Sequence, residues 1–321
     1  MRDRYTIDSM SYSIKPVDSV DITVLVDNYT DLLLAEDTKH ISRPTPSHGM
    51  TLFAEHGLSL LIRVRSGEKV QTILMDAGAT DTAFIHNSKI LGVDLDEICE
   101  IIISHGHYDH MGALYSVLRQ SSCRIPVHTH PAAFSLRRKR LPDGSYTNLP
   151  SCMQDTVTHN GGILSLSTDP SVLADHMVMI TGEIERTTSF EQGSPVLEAM
   201  EGNSFVKDSF RDDQSLIIHL KEKGLIIISG CAHAGIINSV RYAQKITGIE
   251  AVHAIMGGFH LSGPYFKTII PDTISALQEI NPDYIIPMHC TGWEAQVCMA
   301  RAMPDAFVLS TVGTTFHFVR P

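Results

Sequence analysis

The stretch Ile101-Ile-Ile-Ser-His105-Gly-His107-Tyr-Asp109-His110-Met-Gly112 decides how the rest of the chain is read. The apolar run ending at Ser104 predicts a buried strand, and the polar, glycine-containing cluster behind it predicts the loop at that strand's C-terminal end. Three imidazoles and a carboxylate in so short a segment cannot all enter a core without partners, because each unsatisfied polar group costs a few kcal/mol. Either they satisfy one another as a structural histidine cluster, or they share metal. The spacing favours metal: His105 and His107, two residues apart, can converge on one ion while Asp109 and His110 turn to a second. Imidazole and carboxylate suit divalent ions, Zn²⁺ first, with Fe and Mn²⁺ as alternatives.

Composition sets the outer bounds. With 321 residues, 43% of them hydrophobic, the chain can bury a substantial core in one large domain or two modest ones. A formal charge of −11 and a pI near 5.8 argue against a general nucleic-acid binder, which needs a basic surface to neutralise phosphates. The first ten residues lack the apolar core of a signal peptide, and no apolar run is long enough to cross a bilayer. Six cysteines without a Cys-x-x-Cys pair fit a reducing compartment. The expectation is a cytoplasmic protein with a small-molecule substrate and no nucleic-acid or membrane partner; association into homo-oligomers is left open.

Along the chain, residues 1–19 read as a frayed lead-in and 20–321 as one domain. Residues 131–212 are the least regular part and read as an insertion partly covering the site. Val20 to Val26 predicts a first strand ending at Asp27-Asn28, and Glu55-His56-Gly57 leads into a hairpin whose second strand stops at Asp76. Asp76 fits two roles, bracing the metal loop or capping the next helix. His128 and His130 read as supporting or surface histidines. The run Arg137-Arg-Lys-Arg140 is either a solvated face or a collector of phosphate-bearing substrate in an acidic protein.

The second half repeats the strand-then-polar-loop pattern. Leu225 to Ser229 runs into Gly230-Cys231-Ala-His233-Ala-Gly235, where the thiol and imidazole are either metal ligands or a buried thiol with a helix-capping histidine. Ala251 to Met256 ends at Gly257-Gly-Phe-His260, and His260 stands between ligand, substrate contact and support. Ile285-Ile-Pro-Met288 ends at His289, read as a ligand to the second ion. The segments Phe307 to Thr311 and Thr315 to Val319 are expected to close the second sheet.

His-x-His-x-Asp-His behind an apolar strand resembles the metallo-β-lactamase superfamily. That resemblance implies an α/β fold, an αββα sandwich with a pair of metals at one edge. Taken together, Asp27-Asn28, Glu55-His-Gly-Leu-Ser59, Gly230-Cys-Ala-His-Ala-Gly235, Gly257-Gly-Phe-His-Leu261 and Met288-His-Cys-Thr-Gly292 look like its dihydropterin-synthase-like branch. The resemblance implies that Asp76 supports the metal loop and that Cys231 stands where an aspartate commonly bridges both ions. It departs from the superfamily's hydrolases at Thr181-Gly182-Glu183, where a histidine is usual; His233 is then expected to supply that ligand. The implied function is a metal-dependent enzyme acting on a phosphorylated or pterin-like small molecule, by hydrolysis or by dihydropterin transfer with loss of diphosphate. Asp109 and His233 are its expected catalytic residues, and Asp27, Asn28, His56, Asp76 and His260 its supporting or substrate-contacting ones. A di-iron redox protein and a non-enzymatic ligand- or metal-binding module are the alternatives.

Overall fold

Leu216, Ile218 and Leu220 face one side of the strand Ser215–Leu220 while Ile217 faces the other, and Ile226 and Ile228 alternate in the same way with Leu225 and Ile227. Successive side chains of a strand point to opposite faces, so a strand of continuous apolar residues must be covered on both. In the computed structural model, which describes residues 12–34, 37–44 and 51–321, this alternation sorts the apolar side chains into three layers. The central layer joins Val20, Ile22, Leu60 and Ile62 of one sheet to Leu216, Ile218, Ile226 and Ile228 of the other. An outer layer packs Ile217, Ile227 and Ile255 under the helices Ile236–Thr247, Ile270–Ile280 and Trp293–Ala302. The opposite outer layer packs Leu61, Leu74 and Ile101 against Phe84, Leu114 and Val117 of the helices Asp81–Ile90 and Leu114–Gln120. The result is the expected α/β sandwich of two mixed sheets flanked by helices.

The first sheet has eight strands in the order Ile41–Ser42, Thr315–Val319, Ser19–Val26, Ser59–Ser66, Lys69–Met75, Ile98–Ile102, Ile125–Thr129 and Gly162–Leu166. The second has six: Ser171–Leu173, Val178–Ile180, Ser215–Leu220, Gly224–Ser229, Val252–Gly258 and Tyr284–Met288. Parallel pairing joins Lys69–Met75 to Ile98–Ile102 in the first sheet and Gly224–Ser229 to Val252–Gly258 to Tyr284–Met288 in the second. Parallel strands present their C-terminal ends at one edge, where open α/β sheets bind ligands.

Three expectations are corrected. Thr315–Val319 does not close the second sheet; it pairs antiparallel with Ser19–Val26 in the first, and Phe307 makes only an isolated bridge to Ile285. Phe316 and Phe318 enter the central layer, which both sheets face, so their alternation alone does not say which sheet they join. The lead-in is not frayed from residue 12 onward: the Tyr12 amide donates to the Ile246 carbonyl, that of Val17 to His219, and Val17 is fully buried. Residues 1–11, 35–36 and 45–50 lie outside the described residues, and with them the rest of the expected lead-in and parts of the surface segment 31–46. Finally, Arg137 is not available to collect substrate. The run forms a strand, Arg137–Arg140, in a third sheet with Tyr146–Asn148, Leu197–Glu201 and Ser204–Lys207, and Arg137 points inward. Its Nε donates to Asp208 at 2.8 Å and its Nη2 to Asp212 at 2.6 Å. Among the described residues, no helix is long and apolar enough to cross a membrane.

Removing one partner from such a buried ionic group leaves charge without compensation, at a cost of about 3–5 kcal/mol. Arg137→Ala is therefore expected to lower the unfolding free energy by about that amount in chemical denaturation, while Arg140→Ala, three residues along and exposed, leaves the denaturation midpoint where it was.

Candidate metal centre

Six strands end at one place. Ser19–Val26 delivers Asp27 and Asn28, Lys69–Met75 delivers Asp76, and Ile98–Ile102 delivers the loop from Ser104 to His110. From the second sheet, Gly224–Ser229 delivers Cys231 and His233, Val252–Gly258 delivers His260, and Tyr284–Met288 delivers His289. Asp76, Ala232, His260 and His289 all have positive φ, between 46° and 59°. Left-handed backbone is unfavourable for residues other than glycine, and its clustering at strand ends marks loops bent to aim side chains inward. The two sheets approach closely there: a Cβ added at Gly230 would lie 1.9 Å from the Ser104 hydroxyl and 2.9 Å from Asp76 Oδ2.

The buried Asp76 carboxylate accepts three hydrogen bonds, from the Ser104 amide and hydroxyl at 2.7 Å each and from His110 Nδ1 at 2.6 Å. Because the Ser104 hydroxyl donates to Asp76, its oxygen accepts from His105 Nδ1 at 3.0 Å. These bonds assign protons to the outer nitrogens of His105 and His110 and leave both Nε2 atoms facing inward, the orientation that metal-binding histidines take. His289 is held the same way. Asn28 donates through Nδ2 to the His289 carbonyl at 3.2 Å, which fixes its amide, so Oδ1 accepts from His289 Nδ1 at 3.0 Å. Asp27 completes this support, accepting from the His289 amide at 2.9 Å.

The inward nitrogens then converge. His107 Nδ1 lies 3.0 Å from His105 Nε2 and 3.1 Å from His233 Nε2. A single N–H can lie among these three atoms at His107, so lone pairs face one another. His289 Nε2 is buried with no hydrogen-bond partner, 3.4 Å from Asp109 Oδ2. Cys231 Sγ sits 3.2 Å from His110 Nε2 and groups with His105 and His233, with His110 and His289, and with His260 and Cys290, each set of ligand atoms lying within 4.8 Å. A divalent ion, with nitrogen, sulfur and carboxylate ligands, answers the orphaned His289 nitrogen and the facing lone pairs. The residues present fit such ions, and the buried clusters have the composition of a two-metal centre.

Electrostatics agree with this reading. Burial, reinforced by the neighbouring histidines, keeps His105 and His233 well below the usual imidazole range, and burial pushes His107 down to about 3. All three are therefore neutral, the form that binds metal. Burial opposes charge on His110, yet the Asp76 carboxylate outweighs it and raises that imidazole to about 9. Burial also works against ionised Asp109, but the adjacent imidazoles of His289 and His110 prevail and hold it below the ordinary carboxylate range.

Other residues singled out from sequence fall as follows. Asp76 does not cap the following helix; Thr80 does, accepting from the Ala83 amide. His233 does not cap a helix either, since Gly235 occupies that position, and Glu191 accepts from the Ile237 and Asn238 amides at 2.9 Å. Glu183 points to Arg211 and His130 rather than into the centre. His128 pairs with Glu100. His56 stands at the mouth, its side chain 61% exposed, with Nε2 3.5 Å from Asp109. His260 packs against His233 with ring centroids 4.1 Å apart.

Sequence reading missed Ser104, Phe210, Asp212 and Asp213. Asp212 accepts from the Gly106 amide at 2.8 Å and from Arg137, tying the metal loop to the third sheet. Asp213 accepts from the Ala234 amide at 2.9 Å, and burial raises it to about 7. Phe210 stacks on His233, centroids 4.2 Å apart and planes 7° apart. The one available signal was the polar pair Asp212-Asp213 immediately before an apolar strand.

The fold and this histidine, thiol and carboxylate cluster define a class, and the sequence comparisons agree: the chain belongs to the metallo-β-lactamase superfamily, whose family profile matches residues 52–182. Within it, the chain is 34% identical to the 7,8-dihydropterin-6-methyl-4-(β-D-ribofuranosyl)-aminobenzene-5′-phosphate synthase of Methanocaldococcus jannaschii, over 91% of this chain and 98% of that protein. It is also 30% identical to an uncharacterised protein of the same organism, over 81% of this chain and 93% of that one. The crystal structure of Tm1679, described as a metal-dependent hydrolase of the β-lactamase superfamily, shares the fold with a TM-score of 0.71 at 22% identity, over 94% of this chain and all of that one.

Outer partners of metal-binding histidines typically govern metal affinity 10- to 100-fold. Asp76→Ala, which strips His110 and Ser104 of their acceptor together, is expected to weaken Zn²⁺ binding by about that factor in a competition titration with a chromophoric chelator. Removing metal should also lower the thermal midpoint of the wild-type protein, because an ion bound only by the folded state stabilises it by mass action. Identical melting curves with and without chelator would count against a metal centre here.

Proposed function

We propose that this chain is a metal-dependent enzyme that joins a dihydropterin to an aminobenzene riboside phosphate, with loss of diphosphate. The observation that carries the reading is the convergence of His105, His107 and His233 on one side of Cys231 and of Asp109, His110 and His289 on the other. It is supported by similarity over nearly the full length of a synthase whose name describes that product. A cleft of about 300 Å³ opens on His233 and His260 and is walled by Phe259, Tyr265 and Phe266, a flat aromatic surround suited to a fused heterocycle.

In the proposed reaction the aminobenzene nitrogen bonds to the exocyclic methylene carbon of the dihydropterin as that carbon's bond to the diphosphate oxygen breaks. The electron pair leaves with diphosphate, and the amine gives up one proton. Divalent ions would supply Lewis-acid stabilisation of the charge developing on the departing diphosphate. Asp109, held anionic, offers Oδ2 to the amine proton. His56, accepting at Nδ1 from Asn28 at 3.1 Å, directs Nε2 at that same oxygen and connects it to solvent. Phe210 and the stacked His233 keep water from the inner wall.

The test supplies the metal-loaded protein with a dihydropterin-6-ylmethyl diphosphate and the aminobenzene riboside phosphate and follows diphosphate release and the joined product by mass spectrometry. Wild type is expected to make both, and His107→Ala to lose about a hundredfold or more in kcat/KM, the scale on which removal of an electrostatic stabiliser acts. Equal turnover by the two proteins removes the proposal, and diphosphate release without joined product replaces transfer with hydrolysis.

A further inference from the structure

The strand Arg137–Arg140 disposes of its four cations in different ways. Arg137 is buried between Asp208 and Asp212. Arg138 lies between two rings, its guanidinium carbon 3.8 Å from the Tyr146 centroid and 4.1 Å from that of Phe205, and it pairs with Glu198. Lys139 and Arg140 are exposed, and neither forms an ion pair with any described residue. Both line a cleft of about 700 Å³ whose opposite wall is the segment from His260 to Phe266. Among the described residues, no carboxylate lines that cleft. In a chain of net charge −11, a concave site with two uncompensated cations and no acid reverses the local sign of potential and concentrates anions.

The cleft also connects to the metal centre. His260, Tyr265 and Phe266 border both it and the smaller cleft that opens on His233. The rings of Phe210, His233, His260 and Phe266 form a continuous series, with successive centroids 4.2, 4.1 and 4.7 Å apart. Tyr265 beside them is 57% exposed and lines the cleft, where its ring is open to a partner. A molecule spanning this space meets aromatic faces at the metal end and two cations at the outer end. That order matches an arene carrying a remote phosphate, and the volume is within the range of small-molecule sites.

We propose that this cleft seats the phosphorylated aromatic substrate, with Lys139 and Arg140 holding its 5′-phosphate, Tyr265 and Phe266 flanking the arene, and the amino end directed past His260 to the metal centre. The assignment rests on the synthase reading for the identity of the arene, but the phosphate subsite is testable without turnover. The probes are 4-(β-D-ribofuranosyl)aminobenzene 5′-phosphate and the same riboside without phosphate, titrated calorimetrically into metal-loaded full-length protein. Wild type is expected to bind the phosphorylated probe at least about tenfold more tightly, consistent with charge-assisted hydrogen bonds. In Lys139→Gln/Arg140→Gln, whose substitutions keep much of each side chain's stem, the two probes should bind within about twofold of each other, with metal content unchanged and inorganic diphosphate bound as in wild type. Discrimination that survives in the double variant, or that is missing from wild type, overturns the subsite. Discrimination that depends on both cations in a protein making no joined product keeps the subsite and discards the reaction; turnover with discrimination intact in the double variant does the reverse.

Discussion

One buried carboxylate organises the centre. Asp76 uses Oδ1 to hold the Ser104 amide and Oδ2 to hold both the Ser104 hydroxyl and His110 Nδ1. Through these bonds it fixes the path of the loop and the proton positions of two imidazoles, His110 directly and His105 through the serine. A histidine cluster that existed for its own sake would pair inward donors with inward acceptors. Here the outer nitrogens of His105, His110 and His289 are engaged by Ser104, Asp76 and Asn28, so the inner nitrogens all face the centre, those of His105 and His289 as lone pairs. Facing lone pairs repel in a buried, low-dielectric site, and a cation between them makes the arrangement favourable.

The same logic reaches outward through backbone amides. Gly106, between the two histidines at the start of the loop, donates to Asp212, which also accepts from Arg137 in the third sheet. Glu191 accepts from the first amides of the helix that follows His233, and Asp213 from the Ala234 amide. Segment 131–212 and the residues just beyond it therefore act as braces on loops from both sheets. Buried carboxylates on backbone amides are costly individually, as the raised Asp213 shows. They are tolerated because each leaves a loop amide satisfied that no sheet could reach.

What was legible in the sequence was whatever periodicity and strand-end chemistry encode. The alternating runs at 215–229 required two-sided burial, and the polar residues stopping each run, Asp27, Asp76, His105, Cys231, His260 and His289, arrived at one edge because parallel strands all end there. What was hidden depended on partners remote in the chain. Phe316 and Phe318 fit the inner face of either sheet, so their alternation could not choose between Ser19–Val26 and the second sheet. Four consecutive cations look alike until the backbone turns one inward, sets one between two rings and leaves two in the open. Phe210 resembles any core residue until His233 is found stacked on it.

The thiol at the meeting point of the two histidine sets has consequences for which ions suit the centre. A carboxylate in that position serves hard ions such as Mg²⁺ and Mn²⁺ as readily as Zn²⁺, whereas a sulfur donor favours softer partners. Burial raises the Cys231 thiol well above its ordinary range, so a thiolate there forms only alongside a strong compensating charge. His110, beside it, is held protonated by Asp76 and must surrender its Nε2 proton before it can bind metal. Occupation of the centre is thus coupled to loss of protons from two adjacent buried groups. Whichever ion fills the centre must offset that loss, and a sulfur ligand would contribute to doing so in proportion to the ion's softness.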